Sequence, residues 1–170
     1  MGTHPKQLLL AATVGMAVWA SQTTKGAIQE TPSSSSDIVL GTWNLVISQS
    51  TYSPGPAPKN QVRIYEADPN GIRTTIKTTD AEGHTTMLTY TAKYDGVDYP
   101  ITGSPDWDAI ALKKISSHVA EAVLAHAGKE FGKARRVISP DQKTMTITFD
   151  AQVEGKPKVH NVAVFEKQQN

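Results

Sequence analysis

No cysteine occurs anywhere in this sequence of 170 residues. A disulfide framework is therefore excluded, and whatever fold forms is held by its own core. The same absence leaves no acceptor for a bacterial lipoprotein anchor, and no twin arginine precedes the apolar run near the N-terminus. An excess of one charge is missing too: 17 Lys and Arg against 16 Asp and Glu give a net charge of +1. No basic patch, acidic run or aromatic–basic interleaving is present, which argues against a nucleic-acid partner. Gly-x-Ser-x-Gly, His-Glu-x-x-His and Walker glycine loops are also lacking. No catalytic residue is assigned and no cofactor is expected; an enzyme built from dispersed residues would leave no mark of this kind.

What is present begins with "LLLAATVGMAVWA", from Leu8 to Ala20, after a segment carrying Lys6. The run is short for a membrane span of ~20 residues and ends in small residues, with Val18 and Ala20 where a signal peptidase would read. It has the layout of a secretory signal peptide; the alternative is an uncleaved N-terminal anchor. "SQTTKGAIQETPSSSSD" follows, too poor in apolar residues to offset its ordering entropy, and reads as a linker. The expected organisation is a signal peptide at residues 1–20, a flexible linker at 21–37 and one domain at 38–170. That layout places the protein in a bacterial periplasm or outside the cell, with no stable membrane anchor once the signal is removed.

From Leu40 onward the sequence has period two. "TMTITF" puts Met145, Ile147 and Phe149 on one face and threonines on the other. "IRTTIKTT" sets Ile72, Thr74 and Ile76 against Arg73, Thr75 and Lys77, and "MLTYTAKY" groups Leu88, Tyr90, Ala92 and Tyr94. Side chains on a strand point alternately to opposite faces, so these are half-buried strands. Turn residues separate them at "DPNG", "DAEG", "DG", "AGK", "SPDQ" and "EGKP". The segment His118–Phe131 has helix-favouring composition, but its alternation and the central Gly128 favour a strand pair; a helix stays open as the alternative. The pattern predicts an all-β domain, a single up-and-down antiparallel β-barrel of about eight to nine strands, with a sandwich as the competing architecture.

The first strand carries Gly41, Thr42 and Trp43, and the last ends in Val164, Phe165, Glu166 and Lys167. This ordered pair resembles the lipocalin and fatty-acid-binding-protein (calycin) superfamily. "DGVDYPITG", "ALKKIS" and "KARRVISPDQKTMTITF" between them resemble a set of small exported bacterial proteins of unassigned function. The resemblance implies that Gly41, Trp43 and a late-strand cation close one end of the barrel, with Lys167, Arg135 and Arg136 as candidate cations. Two departures stand out. The superfamily's fatty-acid members hold a carboxylate with Arg and Tyr two apart on the last strand, where this chain has Ala163 and Phe165. Their helical lid is replaced by "STYSPGPAPKN", whose prolines bias it to an extended path across a barrel end.

Five histidines, His4, His84, His118, His126 and His160, are scattered, and no metal site is assigned. Asp95, Asp98, Asp106 and Asp108 lie in ordinary turn sequences rather than at EF-hand spacing. Alternation puts Leu45, Ile47, Ile64, Ile76, Leu88, Tyr90, Ile110, Leu112, Val123, Val137, Ile147 and Phe149 on inward faces, with Thr74, Thr78, Asn161 and Arg135 among them. A lumen mixing a few polar groups with many apolar ones suits a small, mostly apolar ligand. Tyr90, Tyr94, Tyr99, Trp107 and Arg135 are the candidate ligand-binding residues. The rival expectation is a filled barrel acting on a protein partner through its mouth loops, with Tyr94, Tyr99 and Trp107 as the contact aromatics.

Overall fold

The computed structural model describes residues 37–153 and 155–169. The signal segment, and all of the linker except Asp37, lie outside the described residues. The strands are β1 (Gly41–Leu45), β2 (Thr51–Ser53), β3 (Asn60–Asp68), β4 (Gly71–Thr79), β5 (Thr85–Ala92), β6 (Asp95–Pro100), β7 (Ala109–Lys114), β8 (Val119–His126), β9 (Lys129–Ile138), β10 (Thr144–Ala151) and β11 (Val159–Lys167). One turn of 3₁₀ helix, Ile47–Gln49, separates β1 from β2. The segment His118–Phe131 is strand, turn, strand: Ala127 and Gly128 take φ of 49° and 74°, the two-residue hairpin geometry with both central residues left-handed.

All pairings are antiparallel, in the order β5-β4-β3-β1-β11-β10-β9-β8-β7-β6, with β2 added alongside β11. The two ends of this path meet where Thr89 pairs with Thr102, just beyond β6. Two backbone hydrogen bonds of 2.9 and 3.0 Å and a hydroxyl contact of 2.7 Å join them. The result is an all-β, nearly closed barrel. Gly103 makes the seam possible: a Cβ there would sit 1.9 Å from the Met87 carbonyl oxygen.

The sheet has 11 strands, more than the eight to nine expected from the sequence. The difference lies in β2 and β6. β2 is three residues long and runs straight into prolines. β6 is exposed along most of its length and carries a bulge between Asp95 and Asp98, so its residues read as loop.

One end of the barrel is closed. Val39, Trp43, Tyr65, Ile138, Met145, Ile147, Ala163 and Phe165 form a buried cluster there. Trp43 is fully buried, and its ring N–H donates to the Val39 carbonyl at 2.7 Å. The Lys167 ammonium lies 5.1 Å over the indole and donates to the Ile38 carbonyl at 3.1 Å. Gly41 (φ 118°) lets this lysine pass, since a Cβ would come 3.0 Å from Lys167 Cε. The other end carries the β4–β5, β6–β7, β8–β9 and β10–β11 connections. The proline segment also runs at this end, from β2 to β3.

Two substitutions test this description. Lys167→Met should lower unfolding stability by about 1–2 kcal/mol through loss of the cation–π contact and one partly buried hydrogen bond, read as a shifted denaturant midpoint at constant slope. Gly103→Ala should break the seam, so hydrogen exchange at Thr89 and Thr102 should accelerate strongly. Gly96→Ala, with nothing within 4 Å of the added Cβ, should leave both amides protected.

Candidate functional site

Above the closed end lies a cavity of about 470 Å³. Its wall follows from strand parity. β3 turns Gln61, Arg63 and Tyr65 inward; β5 contributes Leu88 and Tyr90; β7 gives Ile110 and Leu112; β10 gives Ile147 and Phe149. The inner faces of β8 and β9 carry three alanines, Ala120, Ala122 and Ala134, beside Leu124 and Arg136. Small residues here leave room for the Phe149 ring, which lies so close to Gly132 that a Cβ would meet it at 2.8 Å. The rim includes Tyr52, Thr86 and the β6–β7 loop from Gly103 to Trp107. Trp107 turns toward the interior, with its ring 5.7 Å from Phe149 and 6.1 Å from Phe131.

Two arginines bring positive charge into the cavity, and one of them is bonded to polar groups nearer the mouth. Arg63 stacks over Phe165 at 5.2 Å and donates through Nε to Gln61, whose amide donates in turn to Thr78 at 2.9 Å. Arg136 lies over Tyr65 and Tyr94 at 5.4 and 5.7 Å, and its Nη2 donates to the Tyr94 hydroxyl at 2.6 Å. Its Nε is buried with no hydrogen-bond partner. Among the described residues, the ion pairs of Arg and Lys are Arg73–Asp68, Lys114–Asp37 and Arg135–Glu121. Neither cavity arginine has a carboxylate partner there.

Tyr65, Thr74 and Tyr90 form a row of register neighbours across β3, β4 and β5. Burial pushes the Tyr90 hydroxyl from its ordinary 10.0 up to about 12, and nearby Tyr65 adds to the shift. Arg63 and Arg136 both pull in the opposite direction, so both guanidinium groups act on this one hydroxyl. Burial likewise raises Tyr94, against the pull of Arg136.

The residues singled out from the sequence are placed as follows. Tyr90 and Trp107 line the cavity. Tyr94 stands at the closed end, bonded to Arg136 rather than lining the wall. Tyr99 bonds to Asp95 at 2.8 Å and does not line the cavity. Arg135 is on the outer face, paired with exposed Glu121. The lumen arginine of β9 is Arg136, one residue on. Four further inward assignments are corrected, three by the same parity and that of Ile47 by its place in the 3₁₀ turn. Val137 is 40% and Ile47 44% exposed. Val123 alternates with the cavity-lining Ala122 and Leu124. Ile64 lies between the inward Arg63 and Tyr65.

Arg63 and Gln61 were missed because "QVRIYEA" presents its β-branched residues, Val62 and Ile64, on the opposite face. The signal was available: a two-residue Pro69–Asn70 turn pairs Arg63 with Ile76 and so fixes their shared side. The aspartates do not converge. Asp95 accepts from Tyr99 at the closed end, whereas Asp108 accepts from the Ala127 amide at the open end. His118 and His126 sit at opposite ends of β8. Among the described residues no three histidines or carboxylates are grouped to hold a metal.

No family model matches the chain, and no curated protein matches it. Among solved structures, the crystal structure of Rv2717c from M. tuberculosis is similar: the TM-score is 0.50 at 17% identity, over 78% of this chain and 94% of that one. This is a likeness of fold.

Alkaline titration checks the floor. The folded Tyr90 hydroxyl keeps its proton until about pH 12, while the unfolded chain releases it near 10.0. The native state therefore binds more protons between these values. Stability is intact below about pH 10 and falls on the order of 2 kcal/mol as pH rises toward 12. Tyr90→Phe should make this fall shallower when unfolding free energies are compared at about pH 9 and about pH 11.5.

Proposed function

We propose that this protein is an exported, lipocalin-like barrel that holds a small, mostly apolar molecule in its lumen. The observation that carries the reading is the 470 Å³ cavity with its mostly apolar wall and few convergent polar groups. That volume lies within the range of small-molecule sites, about 300–1,000 Å³. Burial of the ligand's apolar surface against Leu88, Ile110, Leu112, Ile147 and Phe149 would supply the affinity. Tyr90, on the same wall, would orient a polar end.

Lipocalin kinship is supported by the Gly41–Trp43 strand and its Lys167 contact. The periplasmic or secreted location is supported by the apolar run at Leu8–Ala20. The rival, a protein-binding role through the mouth loops, is disfavoured by Trp107. The strongest loop aromatic faces Phe149 and Phe131 rather than solvent.

The test is direct. Protein purified under native conditions, extracted with organic solvent and examined by mass spectrometry should yield a small molecule near one equivalent. After extraction, the barrel should take up phenylnaphthylamine, a neutral fluorescent probe. Ala122→Trp, which fills the lumen, should weaken that uptake by about tenfold or more while circular dichroism stays that of the parent. Uptake that ignores a filled lumen would sink the reading.

A further inference from the structure

We propose that the ligand is an anion: it carries one oxyanion head, a carboxylate or phosphate, held on the cavity floor between Arg63 and Arg136. Its apolar body points past Phe149 and Trp107 to the mouth. This rests on the lumen being the binding site, as proposed above, and names the chemistry of what it holds.

Two guanidinium groups face one partly enclosed, mostly apolar space. Guanidinium does not lose its proton in proteins, so both remain charged. Taking a charge from water into such a space is costly unless a counter-charge or hydrogen bonds replace the solvent. Here the replacement is incomplete. Arg136 is met by one tyrosine hydroxyl and two ring faces, and its buried Nε has no acceptor. Arg63 spends its Nε on Gln61, and among the described residues no side chain accepts from its terminal nitrogens.

Acidic residues do border the cavity, but neither answers the floor. Asp106 is exposed on the rim loop, and Glu121 bonds to Arg135 on the outer face. Arg136 stacks on Tyr65, which lies two residues along β3 from Arg63 on the same inward face, and both arginines line one cavity with Tyr90. An oxyanion in that volume would supply the missing charge and accept from Arg136, Arg63 and Tyr90. Charge-assisted bonds of this kind are about twice as strong as neutral ones, and a guanidinium suits a two-oxygen acceptor. The apolar wall above the floor fixes the orientation, head down and body up.

A matched pair of probes tests it. Anilinonaphthalene sulfonate and phenylnaphthylamine share one ring system and differ in the anion. The full chain should bind the sulfonate about ten- to a hundredfold more tightly than the amine. Arg136→Met and Arg63→Met should each reduce that ratio, and the double variant should erase it, with the affinity for the amine unchanged. Equal affinities in the parent protein, or a ratio indifferent to both substitutions, would overturn the anion while leaving the lumen reading intact. Failure of both probes to bind would overturn the lumen reading and the anion with it. The parent measurement needs no variant to fold. Competition by an alkyl carboxylate, an alkyl phosphate and the alcohol of equal chain length then identifies the head group. The stronger acid names it, and an alcohol that competes as well as either acid overturns the proposal.

Discussion

Trp43 seals the barrel, and the use of the interior depends on that seal. Its indole fills the end among Val39, Met145 and Phe165, all fully buried. The chain before β1 makes this possible by turning beneath the strands, with Leu40 N–H donating to the Asp37 carbonyl at 2.9 Å. Asp37 then reaches Lys114 on β7 at 3.0 Å. β7 lies on the far side of the ring from β1 in the strand order, so the segment Asp37–Leu40 spans the end like a strap. A barrel without this strap would be a tube. With it, the interior is a cup with a floor, and the floor is where the charges lie.

The floor is an expensive place for charge. Phe165 and Tyr65 offer ring faces to Arg63 and Arg136, and such contacts contribute about 0.5–2 kcal/mol each. Desolvation of a guanidinium costs several kcal/mol, so ring faces offset it only in part. The rest of the sheet carries the difference. Three ladders are long and regular, with eight to nine paired positions in β3–β4, β4–β5 and β10–β11. Uncompensated charge in a hydrogen-bonded frame is typical of a site shaped for a partner rather than for stability alone.

Much of the frame was legible in the sequence. Alternating residues marked β4, β5 and β10, and turn residues marked their boundaries. The strand pair at His118–Phe131 was found by alternation against a helical composition. Two kinds of information were hidden. The first was pairing: β2 and β6 are stabilised by the strands beside them, and neither carries the alternation of a strand buried on one face. The second was phase. β8 and β9 begin as a two-residue hairpin, His126 opposite Lys129, and that register would set Ala120 across from Arg135. A bulge at Phe131 inserts one residue, so Ala120 faces Arg136 instead. A single extra residue exchanges the faces of a strand. Valines on the outer face, Val123 and Val137, then mimic an inward pattern, because three of the true inner positions, Ala120, Ala122 and Ala134, are alanines that leave room for Phe149.

The wall of the cup is uneven, and the unevenness has a location. Between β5 and β6, among the described residues, it is joined by the Thr89–Thr102 contacts alone; the β4–β5 ladder on one side runs the length of its strands, and the β6–β7 ladder on the other is broken by a bulge. Local opening takes its lowest free energy where fewest hydrogen bonds are broken. That point adjoins Gly103 and the loop reaching Trp107, which forms part of the rim. The one bonded point of that seam lies next to the mouth, so losing it would free the loop from Gly103 to Trp107. A molecule entering beside Trp107 and Phe149 meets those rings and the polar rim first and reaches Arg136 last, because Arg136 lies toward the closed end of β9.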